Sequence, residues 1–165
     1  MSIQIDDSGW GCLLGGVMIG MYNTENKRFK HKLIPISYFR GKKFKTGAYR
    51  NYAVKIFREL LMKIGPCGKI SICRGTILDG IYNSGFDKKM MERVEIGDPL
   101  QSLLEKEFAK HLMKCGVPEG SGGAHCLSFD DQVKWALEDP KRVKFVKTGW
   151  NSWQNKYSKL QKDQD

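Results

Sequence analysis

The chain has no apolar run approaching the roughly 20 residues of a membrane-spanning helix, which argues against an integral membrane protein. It does not open with a signal peptide, so we expect a cytoplasmic protein without a membrane partner. It also has no C-x-x-C pair, and its five cysteines are odd in number and irregularly spaced. This pattern is typical of reduced thiols and disfavours a disulfide framework.

Acidic residues are in the minority, with 18 Asp and Glu against 28 Lys and Arg and a formal net charge of +10. This excess favours a polyanionic partner, most simply nucleic acid and secondly an acidic membrane surface. A soluble protein that happens to be basic is the alternative. The 165 residues, 41% of them hydrophobic, indicate a folded chain. We expect one domain over residues 1–158 and a frayed tail at 159–165.

The first twenty residues hold the most informative pattern. Ile3 and Ile5 alternate with polar residues, which predicts a strand with one buried face. Asp6 and Asp7 follow, and four glycines then lead into a second apolar run. A strand that ends in acids before a glycine-rich reversal holds carboxylates at the rim of a sheet, where backbone can approach closely. Such a rim suits a divalent metal or a phosphate, and a turn-capping role for the two acids is the alternative.

The remainder of the chain alternates between strand and helix patterns. The long helix at 46–64 has the strongest pattern, because apolar residues recur every three or four positions and Gly65-Pro66 ends it. Thr46, Asp98 and Ser128 are expected to cap helices. A basic loop is expected at 40–45. The other predicted strands are 13–22, 27–39, 69–73 and 91–96, and the other predicted helices are 77–83, 98–115 and 129–138.

Residues 6–15, D-D-S-G-W-G-C-L-L-G, resemble without gaps the type 2 ribonuclease H signature D-E-A-G-R-G-P-L-A-G. Trp10 replaces the family's arginine, which stands between glycines whose backbone reads a ribose 2′-hydroxyl, so the resemblance points to a relative within the superfamily. The order of the predicted elements is also that of the ribonuclease H-like fold. The resemblance implies an α/β fold with a five-stranded mixed sheet. An antiparallel meander of three strands would lead into alternating helices and strands, a C-terminal helix and a basic tail.

The resemblance also implies metal-assisted phosphodiester hydrolysis, with Mg²⁺ or Mn²⁺ bound by carboxylates. The leading hypothesis is a divalent-metal-dependent nuclease that acts on structured or hybrid nucleic acid. The expected catalytic residues are Asp6, Asp7, Glu105 and Asp130, and the expected metal ligands are Asp6, Asp7, Asp79 and Asp131.

The later acids in these sets have plainer interpretations as well. Asp79 precedes Gly80, and the family's next acid also precedes a glycine, at the end of a strand. The sequence pattern here instead predicts that Asp79 lies in a short helix. Asp130 and Asp131 lie in the first turn of a predicted helix, where negative charge complements the macrodipole. Glu105, like its neighbour Glu107, has an ordinary i,i+4 partner on its helix.

Basic segments with interleaved aromatic residues, at 40–45 and 141–153, combine cations for phosphates with stacking surfaces. The predicted nucleic-acid contacts are Lys43, Arg74, Lys147 and Trp150. For 141–153 the alternative is an edge strand with Trp150 as an anchor. For Arg74, which would belong to an anion nest at 74–76, the alternative is a plain turn between a strand and a helix.

Three other functions are open at this point. The runner-up is a non-catalytic nucleic-acid-binding module on the same scaffold with an incomplete metal site. The segment from Asp6 to the glycines could also serve as the phosphate loop of an actin-like ATP-binding half, although that fold normally needs two halves. A zinc site is conceivable, but buried thiols and a partly buried histidine are favoured. Its ligands would be His111, Cys115, His125 and Cys126.

Overall fold

The computed structural model describes residues 2–65, 68–120 and 126–157, apart from the side chain of Lys156. Pro66, His125 and the predicted tail at 159–165 lie outside the described residues. The strands are β1 (Ser2–Ser8), β2 (Val17–Asn23), β3 (Phe29–Ile34), β4 (Lys69–Cys73) and β5 (Met91–Val94). The helices are α1 (Gly41–Lys45), α2 (Ala48–Ile64), α3 (Asp79–Tyr82), α4 (Leu100–Lys114), α5 (Phe129–Leu137) and α6 (Asn151–Tyr157).

The five strands form one sheet in the spatial order β3-β2-β1-β4-β5. Strand β2 is antiparallel to both of its neighbours, β1 and β3. Strand β4 is parallel to both β1 and β5. The predicted α/β class with a five-stranded mixed sheet is therefore confirmed. Among the described residues, no helix is both long and apolar enough to cross a bilayer.

Each face of the sheet is covered by its own hydrophobic core. Ile3 and Ile5 of β1 pack with the apolar stripe of α2, in agreement with its predicted periodicity. On the opposite face, α4 packs over Met18 and Tyr22 of β2. Gly20 permits this close contact, because a Cβ there would lie 2.5 Å from Leu104 Cδ2. Alternation along the strands thus divides their side chains between two helix layers.

Several predicted boundaries are wrong for identifiable reasons. Strand β2 begins at Val17 instead of residue 13, because Gly15 and Gly16 adopt positive φ and break the extended backbone. Strand β3 ends at Ile34, since Pro35 has no N–H to donate, and a 3₁₀ turn (Ile36–Phe39) follows. Strand β5 ends at Val94, two residues before the predicted boundary.

The basic segments also differ from the predictions. The expected loop at 40–45 is the helix α1, and Thr46 closes it by donating its hydroxyl to Lys42 O at 3.0 Å. Thr46 therefore does not cap α2. The edge strand considered for 141–153 is also wrong, because a 3₁₀ helix (Pro140–Phe145) and α6 occupy most of that segment. The cap at Ser128 is confirmed, because its hydroxyl accepts from Asp131 N, whereas α4 begins at Leu100 with Pro99 as its N-cap residue and Asp98 accepts from Ser102 N one residue farther out than predicted.

Candidate functional site

Strand β1 holds the first acid of the opening motif at the end of the sheet where β1 and β4 both finish. Asp6 is only 7% exposed. Its carboxylate accepts a hydrogen bond from Asp7 N at 2.8 Å and another from the Cys73 thiol at the end of β4. Burial raises the pKa of Asp6, the two hydrogen bonds oppose that shift, and the negative charge of Glu105 adds to it. Asp6 is thus a buried carboxyl group next to a second acid.

Asp7 lies next to Asp6 and close to the loop that follows β4. A Cβ added at Gly75 would lie 2.8 Å from Asp7 Oδ1, so glycine at that position leaves room for the carboxylate. Burial, together with the charge of Asp6, raises the pKa of Asp7 to about 7, although the ammonium of Lys147 opposes the shift. The two adjacent acids therefore repel each other in a partly desolvated place.

Glu105 comes from α4, which packs across the same end of the sheet. It borders a cavity of about 340 Å³ that lies between α4 and the glycine-rich loop at 9–16. The other residues that line this cavity are Ser8, Gly9, Gly11, Cys12, Phe108 and Cys126. A Cβ at Gly9 would lie 2.3 Å from Phe108 Cζ, so the loop contacts α4 closely. The structure thus places Glu105 within electrostatic reach of Asp6, whose chain neighbour Asp7 lies beside the loop after β4.

The other predicted carboxylates lie elsewhere. Asp79 begins α3 and pairs with Arg93, with 3.1 Å between Oδ1 and the guanidinium nitrogen. Asp130 and Asp131 are exposed in the first turn of α5, and Asp131 accepts a hydrogen bond from the Ser128 hydroxyl at 2.6 Å. Asp130 borders a different cavity, which Tyr157 also lines. The positions of Asp130 and Asp131 fit the plainer interpretation, in which first-turn acids complement the helix macrodipole.

No group of three or more His, Cys, Asp and Glu side chains is arranged to hold a metal ion in the part of the chain that the structure describes. The predicted zinc ligands fall into separate places. His111 and Cys115 contact each other at 3.8 Å on α4, and His125 is outside the described ranges. Cys126 contacts Cys12, and this hydrogen bond, together with burial, raises the pKa of the Cys12 thiol.

No protein-family model matches the chain, and no curated protein gives a sequence match. The chemistry available at this edge follows from the residues themselves. Three carboxylates supply hard oxygen donors, which are the ligands that Mg²⁺ and Mn²⁺ prefer. Beside them, Gly11 has no heavy atom within 4 Å of the place where a Cβ would be, so its backbone is open to a ligand. This end of the sheet therefore offers both carboxylate oxygens and accessible backbone.

Lys147 holds the glycine-rich loop against the rest of the molecule. It is 0% exposed, and its ammonium donates to the carbonyl oxygens of Gly9 and Cys12. Its backbone N–H donates to Leu13 O at 2.9 Å. Burial lowers the pKa of Lys147 to about 7. The predicted nucleic-acid contact of Lys147 does not fit this position, because the buried ammonium is bonded to backbone and does not face solvent.

Gln132 is a structural residue of the site that the sequence interpretation missed. It is 3% exposed, and its amide oxygen accepts from Leu13 N at 2.7 Å and from the Cys12 thiol at 3.1 Å. Its amide nitrogen donates to Leu127 O at 2.7 Å. The available signal was a glutamine next to Val133 on the buried side of an amphipathic helix.

The remaining predicted contacts with nucleic acid differ in exposure. Lys43 and Arg74 are exposed, as a phosphate contact requires. Trp150 is partly buried, with its ring centroid 6.5 Å from that of Trp10. Trp10, which replaces the arginine of the resembled signature, also packs on Tyr49 at 5.6 Å. The indole thus belongs to an aromatic cluster that links the glycine-rich loop to α2.

Proposed function

We propose that the protein is a cytoplasmic, divalent-metal-dependent nuclease that hydrolyses phosphodiester bonds in structured or hybrid nucleic acid. The observation that carries this proposal is the buried Asp6, which is influenced by the charge of Glu105 on α4 and itself influences its neighbour Asp7. The charge of Glu105 raises the pKa of Asp6, and the charge of Asp6 raises that of Asp7. Like charges that share a partly buried site are stabilised by a bound cation.

Carboxylate oxygens suit Mg²⁺ or Mn²⁺, and Asp6 with Glu105 would supply the first ligands, with water or substrate phosphate completing the set. Such an ion, when bound, supplies Lewis-acid stabilisation of a phosphoryl group and acidifies a water molecule. The chain itself positions the donors and the substrate. Strand β1 fixes Asp6 and Asp7, α4 fixes Glu105, and the buried ammonium of Lys147 fixes the loop that exposes the Gly11 backbone.

A ribonuclease H-like fold is part of this proposal. Three antiparallel strands precede the long helix α2, and two strands parallel to β1 follow it, separated by the short helix α3. This order of elements is the one implied by the resemblance of residues 6–15 to the type 2 signature. The acids of that signature lie at the end of β1, as the resemblance implies for a metal site.

A second candidate function is a nucleic-acid-binding module without catalysis. It is favoured by the lack, among the described residues, of a group of three side chains that could hold a metal. The pairing of Asp79 with Arg93 favours it as well, because that carboxylate is already engaged. A Mg²⁺ site often includes substrate phosphates, however, so two or three carboxylates suffice for the nuclease.

The test is cleavage of a labelled RNA–DNA hybrid and of a structured RNA in Mn²⁺ and in Mg²⁺. We expect the parent protein to cleave and Asp6→Asn to lose at least about 100-fold in rate, since even outer-shell residues of metal sites cost about 10- to 100-fold. Asp130→Asn, which changes an exposed acid on α5, is the matched control and keeps the parent rate.

The alternatives give different results in the same assay. A parent protein that binds both substrates and cleaves neither supports the binding module. Equal cleavage by the parent and by Asp6→Asn contradicts the assignment of the site to the end of β1. Nucleic-acid affinity measured for Asp6→Asn separates a loss of chemistry from a loss of binding.

A further inference from the structure

The positive charge of the chain comes from one segment. Residues 26–58 contain 11 of the 28 Lys and Arg and none of the 18 Asp and Glu. The rest of the chain has 17 basic residues against the 18 acidic ones, so its charges nearly cancel. The formal net charge of +10 is therefore a local property of about a fifth of the sequence.

The structure gathers this segment on one side of the sheet. It includes the edge strand β3, the helix α1 and most of α2, which packs against β3 and α1. Two of its cations are used internally: Lys32 pairs with Glu59, and Arg40 donates to Thr148 Oγ1 at 3.3 Å. The exposed ones are Lys27, Arg28, Lys30, Lys42, Lys43, Lys45, Arg50, Lys55 and Arg58.

Aromatic rings lie among the cations of α1 and α2. The ring centroids of Tyr38 and Tyr52 are 4.5 Å apart. The ammonium of Lys43 is 4.7 Å from the centre of the Tyr38 ring, and that of Lys55 is 5.8 Å from the centre of the Tyr52 ring. Both tyrosines are partly exposed. We call the surface of Tyr38, Lys42, Lys43, Lys45, Arg50, Tyr52 and Lys55 the basic-aromatic face.

This composition favours nucleic acid over an acidic membrane. A membrane-docking surface adds exposed large apolar side chains to its cations. The exposed large apolar residues of the described chain are Met62, Met113, Phe129 and Leu137, and none of them lies in 26–58. Cations interleaved with tyrosine rings are instead typical of surfaces that contact phosphates and stack bases.

The basic-aromatic face adjoins the carboxylate site. The guanidinium carbon of Arg50 is 5.5 Å from the centre of the Tyr49 ring. The Tyr49 ring contacts Trp10, which stands only three residues after Asp7. On the other side, a Cβ at Gly80 would lie 3.1 Å from Arg50 O, so the region after β4 meets α2 at the same point. A chain of contacts therefore joins the face to the acidic end of β1.

We infer that the basic-aromatic face is the docking surface for the sugar-phosphate backbone of a nucleic acid, and that it leads one strand toward the acidic end of β1. The cations neutralise consecutive phosphates, and Tyr38 and Tyr52 offer ring surface to a base or sugar. The choice of nucleic acid as partner rests on the proposed function. Docking itself does not require cleavage, so the two can be tested separately.

The test compares two variants of equal net charge. The face variant carries Lys42→Gln, Lys43→Gln, Lys45→Gln and Lys55→Gln. The control variant carries Lys88→Gln, Lys89→Gln, Lys106→Gln and Lys134→Gln, four lysines that are equally exposed on other elements. Affinity for a labelled RNA–DNA hybrid is measured by fluorescence anisotropy between about 50 and 200 mM salt. Circular dichroism and thermal melting verify that both variants are folded.

We expect the face variant to bind at least about 10-fold more weakly than the parent protein, with a salt slope smaller by about 3 to 4. The control variant stays within about threefold of the parent, because its lysines contact no phosphate. A third variant, Tyr38→Leu with Tyr52→Leu, keeps every charge and is expected to weaken binding while preserving the slope.

Other results overturn the inference. Equal weakening in the face and control variants would show that net charge alone drives binding. Parent-like affinity in the face variant would locate the docking surface elsewhere. Binding to anionic vesicles in place of the hybrid would identify a membrane surface as the partner. Weakened binding in the face variant of a protein that cleaves nothing would support docking and refute the nuclease.

Discussion

Burial acts in opposite directions on an acid and a base at the end of β1. It raises the pKa of Asp7 and lowers the pKa of Lys147, each to about 7, because the charged form of either side chain loses solvation. Lys147 recovers part of this cost through the carbonyl oxygens of Gly9 and Cys12. Asp7 faces the like charge of Asp6 instead. The charge state of the site therefore changes close to neutral pH.

The raised pKa of Asp7 predicts how the stability of the folded protein depends on pH. The pKa of Asp7 rises from its ordinary value of 3.8 to about 7 in the folded protein. The stability that Asp7 contributes is therefore complete below pH 3.8 and is lost as the pH rises through about 7. We expect Asp7→Asn to be more stable than the parent at pH 8 by about 2–4 kcal/mol and to lose this pH dependence. Urea unfolding at several pH values measures both effects.

The matched control for this prediction is Asp130→Asn, an exposed acid on α5 that keeps the parent pH profile. A profile for Asp7→Asn that parallels the parent between about pH 4 and 8 would contradict the assigned cause. A uniform loss of stability at every pH would instead indicate a packing defect of the asparagine.

The sequence predicts some residues of the site and misses others for a physical reason. Asp6 and Asp7 could be found because they directly follow the alternation of a strand. Glu105 could be named as a candidate, as Asp130 could. Which of the two lies near β1 depends on which helix packs across that strand, and the sequence does not show this. Lys147 and Gln132 could not be assigned, because burial of a polar side chain is a tertiary property that a basic or amphipathic segment does not reveal.

At the scale of elements, a helix or strand with a regular local sequence pattern can be predicted, whereas an element without such a pattern cannot. The periodicity of α2 and the cap at Ser128 depend on local sequence, so these predictions agree with the structure. The helix α1 has no apolar period. It depends on long-range contacts, among them the close approach of Phe44 to Gly149, whose Cβ would lie 2.6 Å from Phe44 Cδ1. Such contacts are invisible in a local window.

The connection between α5 and the glycine-rich loop gives a prediction at this scale. Gln132→Met keeps the size of the side chain but leaves Leu13 N–H and Leu127 C=O without this partner. We expect a loss of about 2–4 kcal/mol, since each buried unsatisfied group costs about 1–3 kcal/mol. Urea unfolding measures it. The control is Lys134→Ala, an exposed change on the same helix that stays within about 0.5 kcal/mol. A loss no larger than that of the control would show that the amide contributes nothing to holding the loop.

At the scale of the whole molecule, the sheet separates charges that would otherwise attract each other. The acids of the candidate site lie at the end of β1, whereas the cations of 26–58 lie along β3, α1 and α2. A polyanion drawn to the basic side by long-range attraction meets the acids only where the two regions join, beside Trp10. The acids repel a phosphate unless a cation is bound there. This arrangement makes docking and metal binding separable properties of one molecule.

Metal binding by the intact protein gives a prediction that needs no substrate. Because the charge of Glu105 raises the pKa of Asp6 and the charge of Asp6 raises that of Asp7, a cation that binds the folded protein relieves this repulsion. We expect Mn²⁺ at about 100 times its dissociation constant to stabilise the parent by about 2.7 kcal/mol. For a chain of this length that corresponds to a rise in Tm of roughly 5–10 °C.

NaCl at matched ionic strength controls for screening, and Asp130→Asn is the matched variant that retains the full rise. Asp6→Asn is expected to melt no lower than the parent without metal, because it removes a buried charge, and to gain at most about 1 °C from Mn²⁺. An equal rise in Tm for the parent and for Asp6→Asn would show that Mn²⁺ binds elsewhere. No rise in either protein would contradict the prediction that these acids bind a divalent cation.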